Sequence, residues 1–506
     1  MNLKISKNTI SKLTDGHKIL GLAFSAVLYL ICMTGTIVVF FVEMERWEQP
    51  TLPEYTAYDN SAIARAALDT QKVMVADKNR SPVEEDIYIG FPSDNLPRIV
   101  AGYSDDARAY DSKGNYVGSA NHPNVHFVSE LHYYLHLPES YGMIVVSVLG
   151  IFMLALLIGG ALSHKKIFAD AFKLRPRAEG HLGRADTHNR IGTWTLPFAL
   201  VVTATGSFVG FSQLIVFLIA TVFYQGDFSK VMDPMLGSQH EITKITQNVP
   251  LKGEAAIVRA ISELKKNEPD AIPTYLVLKN AATYTPSLEI IAKKADRLAF
   301  GETYRFDADG NLKTQNGYLN GAIGKQIYAS LFPLHFGNYG GLPIQIAYFV
   351  VGFALCFMIN AGMEIWFTKS AAKAKPKPYL HAIWVSFVYS SISAIAIAMT
   401  SNFFDLKSDV IIYWGSLISL IIIGLVAFNT FEQNVLYLGR LMRAIFALSI
   451  LLLVIAHFIK FKVVNFATMS VSVPLILIAV FILVPIFRSL INLKQKQILV
   501  EQDIQV

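Results

Sequence analysis

Eight long apolar segments constrain the fold of this chain more than any other feature of its sequence. An α-helix needs about 20 residues to cross the hydrocarbon layer of a bilayer, and these segments approach or exceed that length. Charged residues make up 16% of the chain, well below the roughly 25% that is usual in soluble domains. We therefore predict an α-helical integral membrane protein with about eight transmembrane helices, at residues 19–42, 141–163, 191–223, 343–367, 381–400, 409–428, 444–459 and 471–487.

Lysine and arginine residues collect in the amino-terminal segment, in every second connection between spans and in the carboxyl-terminal tail. The positive-inside rule places such segments in the cytoplasm. Both termini are therefore predicted to be cytoplasmic in a bacterial inner membrane, and the long polar stretches 43–131 and 224–334 are predicted to be periplasmic. The net charge of +6 follows from this orientation and does not indicate nucleic-acid binding. The cationic residues are Lys4, Lys7, Lys12, Lys18, Lys165, Lys166, Lys173, Arg175, Arg177, Arg184, Arg190, Lys369, Lys373, Lys375, Lys377, Arg440, Arg443, Arg488, Lys494 and Lys496.

The first part of the chain contains an internal duplication, which indicates a repeated structural unit. The pattern H-x3-G-x12-T-G occurs twice without a gap, once from His17 to Gly35 and once from His188 to Gly206. Two further spans follow the dipeptides Leu131-His132 and Leu334-His335 and carry similar series of glycines. These glycines are Gly142, Gly150 and Gly159 in one span and Gly341, Gly352 and Gly362 in the other.

The two long polar stretches repeat each other as well. In each, a helix-like segment precedes β-rich runs, and a D-x-x-G-N hairpin turn follows, at Asp111–Asn115 and at Asp307–Asn311. We therefore predict a small α+β module in each stretch. The predicted organisation is 1–42 for the amino-terminal segment and first span, 43–131 for the first periplasmic module, 132–223 for the second span, a cytoplasmic loop and the third span, 224–334 for the second periplasmic module, 335–370 for the fourth span, and 371–506 for a linker, four additional spans and a cytoplasmic tail.

Four histidines occupy equivalent positions in the two copies. His17 and His188 begin spans that run outward, whereas His132 and His335 precede spans that run back, so a four-helix bundle would hold one pair near each membrane surface. Two neutral imidazoles make a haem iron six-coordinate and suited to electron transfer, and bundle cores house such cofactors. We predict two b-type haems with these four histidines as axial ligands, because no CxxCH motif occurs for covalent c-type haem. The glycines Gly21, Gly192, Gly150 and Gly352 are expected to leave room for the porphyrins.

Other histidines compete for these roles. His136 is expected one helical turn after His132, and His164 and His181 stand on the cytoplasmic side. An alternative is that iron binds directly to a histidine cluster on the outer side. That cluster is His122, His126, His132 and His136 with Glu130. His381 and His457 lie near the ends of later spans and are expected to be structural.

The combination of these motifs resembles the PepSY-associated transmembrane-helix family. The resemblance is carried by Leu131–Leu135, by Leu334–Gly341 leading to Gly362–Trp366, and by the two H-x3-G-x12-T-G patterns, and it covers roughly residues 10–370. It implies an inner-membrane iron-uptake reductase, including ferrisiderophore reductases of the FoxB type, with bis-histidine b haems in a four-helix core. It further implies that the periplasmic modules are PepSY-like. The ligands would be His17 and His188 for the cytoplasmic haem, and His132 and His335 for the periplasmic haem.

The expected activity is therefore ferric or ferrisiderophore reduction, with electrons crossing from the cytoplasmic haem to the periplasmic haem. No general acid or covalent nucleophile is required. Neither a G-x-G-x-x-G motif after a strand nor a Walker A motif is visible, so a membrane quinol or a separate cytoplasmic flavoprotein is expected to donate electrons. The residues expected beside the outer haem are Glu130, Tyr133, Tyr134, His136 and Tyr339. Two alternatives remain: a membrane transporter, and an assembly or regulatory protein whose outer modules bind a partner.

Overall fold

The fold is seen in a computed structural model that describes residues 6–504 apart from several short gaps. The gaps are 78–85, 104–105, 165–179, 229, 232–250, 284–285, 296, 300, 318–322 and 407. Part of the cationic connection after the second span, from Lys165 to Arg177, therefore lies outside the described residues. The helices among the described residues are α1 (Lys7–Val38), α2 (Phe41–Glu48), α3 (Asn60–Ala76), α4 (Pro123–Tyr133), α5 (Glu139–Ser163), α6 (Gly180–Tyr224), α7 (Gly253–Asn267), α8 (Ile323–Phe336), α9 (Gly341–Ala372), α10 (Pro378–Phe403), α11 (Asp409–Thr430), α12 (Val435–Phe461) and α13 (Phe466–Ile504).

Eight of these helices are long and apolar enough to cross a membrane, namely α1, α5, α6, α9, α10, α11, α12 and α13. The predicted number of spans is therefore confirmed. Several helices extend well beyond the predicted apolar runs, because polar residues continue a helix after it leaves the bilayer. The helix α1, for example, begins at Lys7, where the hydroxyl of Ser6 accepts a hydrogen bond from the Thr9 backbone N–H at 3.1 Å and caps the first turn.

The chain divides into two compact units. The helical unit consists of Met1–Pro50, Pro123–Ser207 and Ile346–Val506, and the sheet unit consists of Thr51–His122 and Phe208–Gln345. The sequence repeat is therefore not the same as the division into compact units. The helix α4 crosses the predicted boundary at residue 131, and neither α4 nor α8 was predicted as a separate helix.

The sheet unit contains one antiparallel sheet of eight strands in the order β4-β3-β2-β1-β5-β6-β7-β8. Four strands come from each predicted module, and β1 pairs with β5 through Tyr88 opposite Val277. The helices α3 and α7 cover one face, where Ile63, Ile89, Ile257 and Ile290 belong to a common buried core. The strands are β1 (Ile87–Gly90), β2 (Ile99–Tyr103), β3 (Asp106–Tyr110), β4 (Tyr116–Ser119), β5 (Ala271–Lys279), β6 (Ser287–Lys294), β7 (Glu302–Phe306) and β8 (Leu312–Asn316).

Both predicted D-x-x-G-N turns are present. The carboxylate of Asp111 accepts backbone hydrogen bonds from Lys113 and Asn115, and that of Asp307 accepts them from Asp309 and Asn311. The glycine of each turn has a positive φ, 82° at Gly114 and 85° at Gly310, which a side chain would strain. Burial opposes the shift, but the hydrogen bonds from Asn311 and the ion pair with Lys313 lower the pKa of Asp307 to about 2.

In the helical unit, α10 packs between α11 and α12 and also meets α1. Ser386, Ser390, Ser391 and Ser393 of α10 are fully buried, and these small side chains permit close helix packing. The Tyr29 hydroxyl of α1 donates to the Val388 carbonyl of α10 at 3.3 Å. The four carboxyl-terminal spans therefore form part of the same core as the first span.

Candidate haem site

Two histidines from different copies of the repeat meet in the helical unit. His17 lies on α1 and His188 on α6, and their ring centroids are 6.2 Å apart with an interplanar angle of 78°. Both are ligands that the repeat predicted for the cytoplasmic haem. The structure thus brings this predicted pair together.

Each of these rings is held by a backbone carbonyl of a neighbouring span. The Nδ1 of His17 lies 2.9 Å from the Leu156 carbonyl oxygen, and the Nδ1 of His188 lies 2.9 Å from the Met358 carbonyl oxygen. A carbonyl oxygen only accepts, so Nδ1 carries the hydrogen and donates it. In the neutral ring the lone pair is then on Nε2, which is the form that binds a metal.

A glycine packs against each of the two rings. A Cβ atom at Gly160 would lie 3.0 Å from Cε1 of His17, and one at Gly362 would lie 3.2 Å from Cε1 of His188. Each glycine follows the accepting carbonyl by four residues, so both imidazoles meet their spans in the same way. The glycine series noted in the sequence ends at Gly159, whereas the residue that matches Gly362 in this contact is Gly160. The ten-residue spacing of Gly150–Gly160 and Gly352–Gly362 identifies the correct partner.

The spacing of the pair suits an iron held between two imidazoles. A metal–imidazole bond is about 2 Å long, so two rings on opposite sides of one metal have centroids roughly 6 Å apart. Buried apolar residues surround this part of the unit, including Leu28, Met153 and Leu355. The donor set, the tautomer and the dry surroundings all fit a bis-histidine b haem.

His132 repeats this arrangement on α4. Its Nδ1 lies 3.0 Å from the Ile31 carbonyl oxygen and 3.4 Å from the Thr34 hydroxyl. A Cβ atom at Gly35 would lie 2.6 Å from Cε1 of His132, so the ring rests directly on this glycine. The T-G end of the repeat motif therefore has a physical role, because its glycine accommodates the imidazole.

His335 lies in the sheet unit, in the last turn of α8, with its ring 5.7 Å from that of Phe336. The same helix end carries both His335 and the apolar ring beside it. The pairing of His335 with His132 stays a prediction, which rests on the repeat.

Two glycines expected to leave room for a porphyrin have another role. A Cβ atom at Gly352 would lie 2.5 Å from the Thr36 hydroxyl, and one at Gly150 would collide with the Ser207 hydroxyl. Protein side chains from neighbouring spans fill this space, so the expectation was wrong at both positions. These glycines serve helix packing, since a small residue lets two spans approach closely.

The first competing histidine, His136, does not extend α4 as expected. That helix ends at Tyr133, and Leu135 and His136 have positive φ angles of 57° and 53°. The His136 ring stacks on Phe127 at 4.7 Å, and its Nδ1 lies 3.6 Å from Glu130. Burial lowers the pKa of His136, which favours the neutral ring.

The other two histidines that compete for the ligand role are His164 and His181. His164 is the carboxyl-terminal cap residue of α5, one turn beyond Gly160, and the side chain of His181 lies outside the described part of the chain. Within the residues that the structure describes, no group of three or more His, Cys, Asp or Glu side chains is placed to hold a metal ion. The alternative of an iron site made of outer-side histidines is therefore not supported.

A polar couple near His188 was not predicted from the sequence. His381, expected to be structural, directs its Nε2 at Glu364 Oε1 over 2.7 Å, and Arg184 Nη1 lies 3.7 Å from Glu364 Oε2. His457, by contrast, is fully buried, stacks on Trp47 at 4.2 Å and donates to its carbonyl at 2.7 Å, as a structural residue does. Sequence spacing does not reveal the couple, because its members lie on different helices.

Comparison with protein families identifies the family of the chain. The family model described as PepSY-associated TM region matches residues 14–369. The chain belongs to the PepSY-associated transmembrane family. The match includes all four predicted haem ligands and ends before α10, so the four carboxyl-terminal spans of this PepSY-associated protein lie outside it.

A relative is known in Pseudomonas aeruginosa under the name Uncharacterized protein PA4219. It is 25% identical over 240 residues, which cover 46% of this chain. The aligned region spans 60% of the relative's length, less than two thirds.

Proposed function

We propose that the protein is a transmembrane di-haem b oxidoreductase that reduces ferric iron or a ferric siderophore in the periplasm. The observation that carries this proposal is the His17–His188 pair, with a centroid separation of 6.2 Å and both Nδ1 atoms bonded to backbone carbonyls. A metal-binding tautomer fixed on both rings is difficult to explain for two unrelated interfacial histidines.

The protein's part in this activity is to hold and orient the ligands. When bound, haem would supply one-electron transfer without a proton-transferring side chain. Leu156 and Met358 fix the ring tautomers through their carbonyls, and the apolar surroundings exclude water from the site.

The proposed outer ligands are His132 and His335. The His132 ring is oriented in the same way as the rings of the inner pair: its Nδ1 bonds to the Ile31 carbonyl, and the ring packs against Gly35. Nearby, burial raises the pKa of Tyr133 to about 12 and also raises that of Tyr134, so both hydroxyls stay protonated and can donate hydrogen bonds. Hard oxygen ligands favour the ferric state, so reduction of an oxygen-ligated chelate promotes release of its iron.

A spectroscopic experiment tests this function. Purified protein, expressed with ample haem and reduced with dithionite, should show a b-type absorption band that disappears rapidly when a ferric chelate is added. Slow reoxidation by every ferric chelate tested, together with rapid reoxidation by another acceptor, would reject the ferric assignment. The lack of any haem band would reject electron transfer altogether and favour the transporter or assembly alternatives.

A further inference from the structure

The polar couple of Glu364 and His381 lies close to the His17–His188 pair. Glu364 stands two residues after Gly362, about 3 Å of helical rise from the glycine that supports the His188 ring. Arg184, which contacts Glu364, precedes His188 by one helical turn on α6. The couple thus lies within about one turn of His188 along the spans.

The couple also lies where two spans end. Glu364 is in the last part of α9, and His381 is in the first turns of α10. The ring of Phe367 stacks on His381 at 4.4 Å, and Trp384 donates to Asn360 at 2.8 Å beside it. Exposed apolar side chains, Leu380 and Ile383, adjoin His381 on α10. A lipid-soluble molecule could therefore reach this region from the bilayer.

The geometry of the couple is that of a carboxylate–histidine base. The hydrogen bond from Nε2 to Glu364 Oε1 leaves the lone pair of a neutral ring on Nδ1. Among the described residues, this Nδ1 atom has no hydrogen-bond partner. A base oriented by a carboxylate and open at its other nitrogen is the arrangement that general-base catalysis uses.

A base at this position would be superfluous for a donor that transfers electrons alone. A quinol differs, because it must lose two protons as it gives up two electrons. We propose that Glu364 and His381 form the site at which a membrane quinol is oxidised, an inference that rests on the proposed function. Arg184 is the positioning residue that orients the carboxylate.

The reaction balances with the ferric haem iron as the oxidant. One quinol hydroxyl gives its proton to His381 Nδ1, which forms an imidazolium paired with Glu364. The ring then releases the Nδ1 proton to water and can accept the proton of the second hydroxyl. The His381 and Glu364 side chains are 20% and 17% exposed, so both are within reach of water. With haem bound, the two electrons would leave the quinol one at a time, each to one ferric haem, and a quinone and two protons would remain.

The test compares the full-length, haem-loaded protein with Glu364→Gln and His381→Gln. A short-chain ubiquinol is mixed anaerobically with each oxidised protein, and growth of the reduced haem band is followed in a stopped-flow spectrometer. Loss of a general base should slow reduction by the quinol about 10²-fold or more in both variants, while dithionite reduces all proteins to the same final absorbance. Glu139→Gln, a carboxylate change at the start of α5, should keep the wild-type rate.

A second measurement does not depend on turnover. An azido-quinone, photolysed with the oxidised protein, should label peptides of α9 and α10 and be competed by unlabelled quinone, with weaker labelling in His381→Gln. Wild-type rates in both variants, or labelling elsewhere only, would overturn the quinol site. Reduction by dithionite but not by quinol would also overturn it and leave the proposed function intact, whereas failure of dithionite to give a haem band would reject that function itself.

Discussion

The hydrogen bond from His17 Nδ1 to the Leu156 carbonyl determines which ring nitrogen can bind a metal. The same bond recurs at His188 and at His132, with Met358 and Ile31 as acceptors. Repetition of this contact in both copies of the duplicated unit is stronger support than the presence of histidines alone. Duplication alone explains why the same residue type recurs. It does not explain why the ring keeps the same hydrogen bond, since a histidine without a function need not retain its orientation.

A glycine substitution tests the orientation at His17. Gly160→Ala would place a methyl group 3.0 Å from Cε1 of His17 and push the ring from its carbonyl acceptor. We expect about 10–100-fold weaker haem binding at the inner site, as for other losses of ligand support. Haem titration of the purified protein, followed in the Soret region, gives this affinity.

The neighbouring residue supplies the control. A Cβ atom at Gly159 would meet nothing within 4 Å, so Gly159→Ala should bind haem as the wild type does. Equal affinities in the two variants would show that His17 does not depend on this contact and would weaken its assignment as a ligand.

Residue type and spacing were enough to predict His17 and His188 as a pair, because the repeat fixes their positions on two spans. The supporting contacts were not predictable in the same way. A carbonyl such as that of Met358 has no signature in the sequence, and the choice of Gly160 over Gly159 depends on the face of α5 that meets α1. The role of Glu364 could not be predicted from the sequence either, because it depends on a contact with His381, which lies on a helix outside the repeat.

The helix α4 shows how an element without a sequence signal is held in place. Its first backbone N–H groups, at Asn124 and Val125, donate to the two carboxylate oxygens of Glu48 at 2.8 and 3.2 Å. Acceptor oxygens at a helix amino terminus satisfy donors that have no partner within the helix. Because this carboxylate comes from α2, local sequence around α4 does not predict the helix.

Glu48 makes the stability of α4 depend on pH. Burial raises the pKa of Glu48 to about 8, although its bonds to Asn124 and Val125 oppose the shift. A carboxyl whose folded pKa exceeds its unfolded pKa of 4.5 contributes stability below the unfolded value, and that contribution is lost as pH rises through the folded value. Wild-type protein should therefore become less stable as pH rises from about 4.5 to about 8.

The matched variant is Glu48→Gln, which cannot ionise and should show a flatter pH profile. Thermal unfolding measured by scanning fluorimetry across this range tests the slope. Glu48→Ala removes the cap and should cost about 0.5–2 kcal/mol, with faster amide exchange at Asn124 and Val125. An identical slope in wild type and Glu48→Gln would contradict the assignment, while Glu139→Gln should leave the slope unchanged.

The two predicted modules show which features of the sheet could be predicted from the sequence and which could not. Alternating β-rich runs and the D-x-x-G-N turns predicted the strands correctly, because both signals are local. The junction of β1 with β5 joins Ile89 to Leu276 across a long sequence separation. No local pattern distinguishes two separate four-stranded sheets from one sheet of eight strands, so this pairing could not be predicted.

Across the helical unit, the four carboxyl-terminal spans are attached to the family portion at several polar contacts. Asn402 of α10 donates to Asn124 at 2.9 Å, and His457 of α12 donates to the Trp47 carbonyl at 2.7 Å. Both acceptors adjoin Glu48, which caps the helix that carries His132. The added spans therefore stabilise the region of one proposed ligand. Through the hydrogen bond between His381 and Glu364, they also contact the region of the inner pair.

The four ligand assignments make a prediction for the molecule as a whole. If His17 and His188 bind one haem and His132 and His335 bind another, His17→Ala or His188→Ala should lose about half of the haem, because an iron with one remaining imidazole is held weakly. His132→Ala or His335→Ala should lose the other half. Pyridine haemochrome analysis gives the haem content per chain. The electron paramagnetic resonance spectrum of each variant shows which of the two haem signals remains.

The identity of the lost signal matters more than the amount. The two inner variants should lack the same resonance, and the two outer variants should lack the other one. A His17→Ala protein that lost the same resonance as His132→Ala would contradict the pairing. His457→Gln serves as the control for a buried histidine outside both sites, since its ring bonds to Trp47 and contacts aromatic residues on α10 and α12. It should retain both signals, which shows that haem loss in the other variants comes from the ligands themselves and not from a weakened bundle.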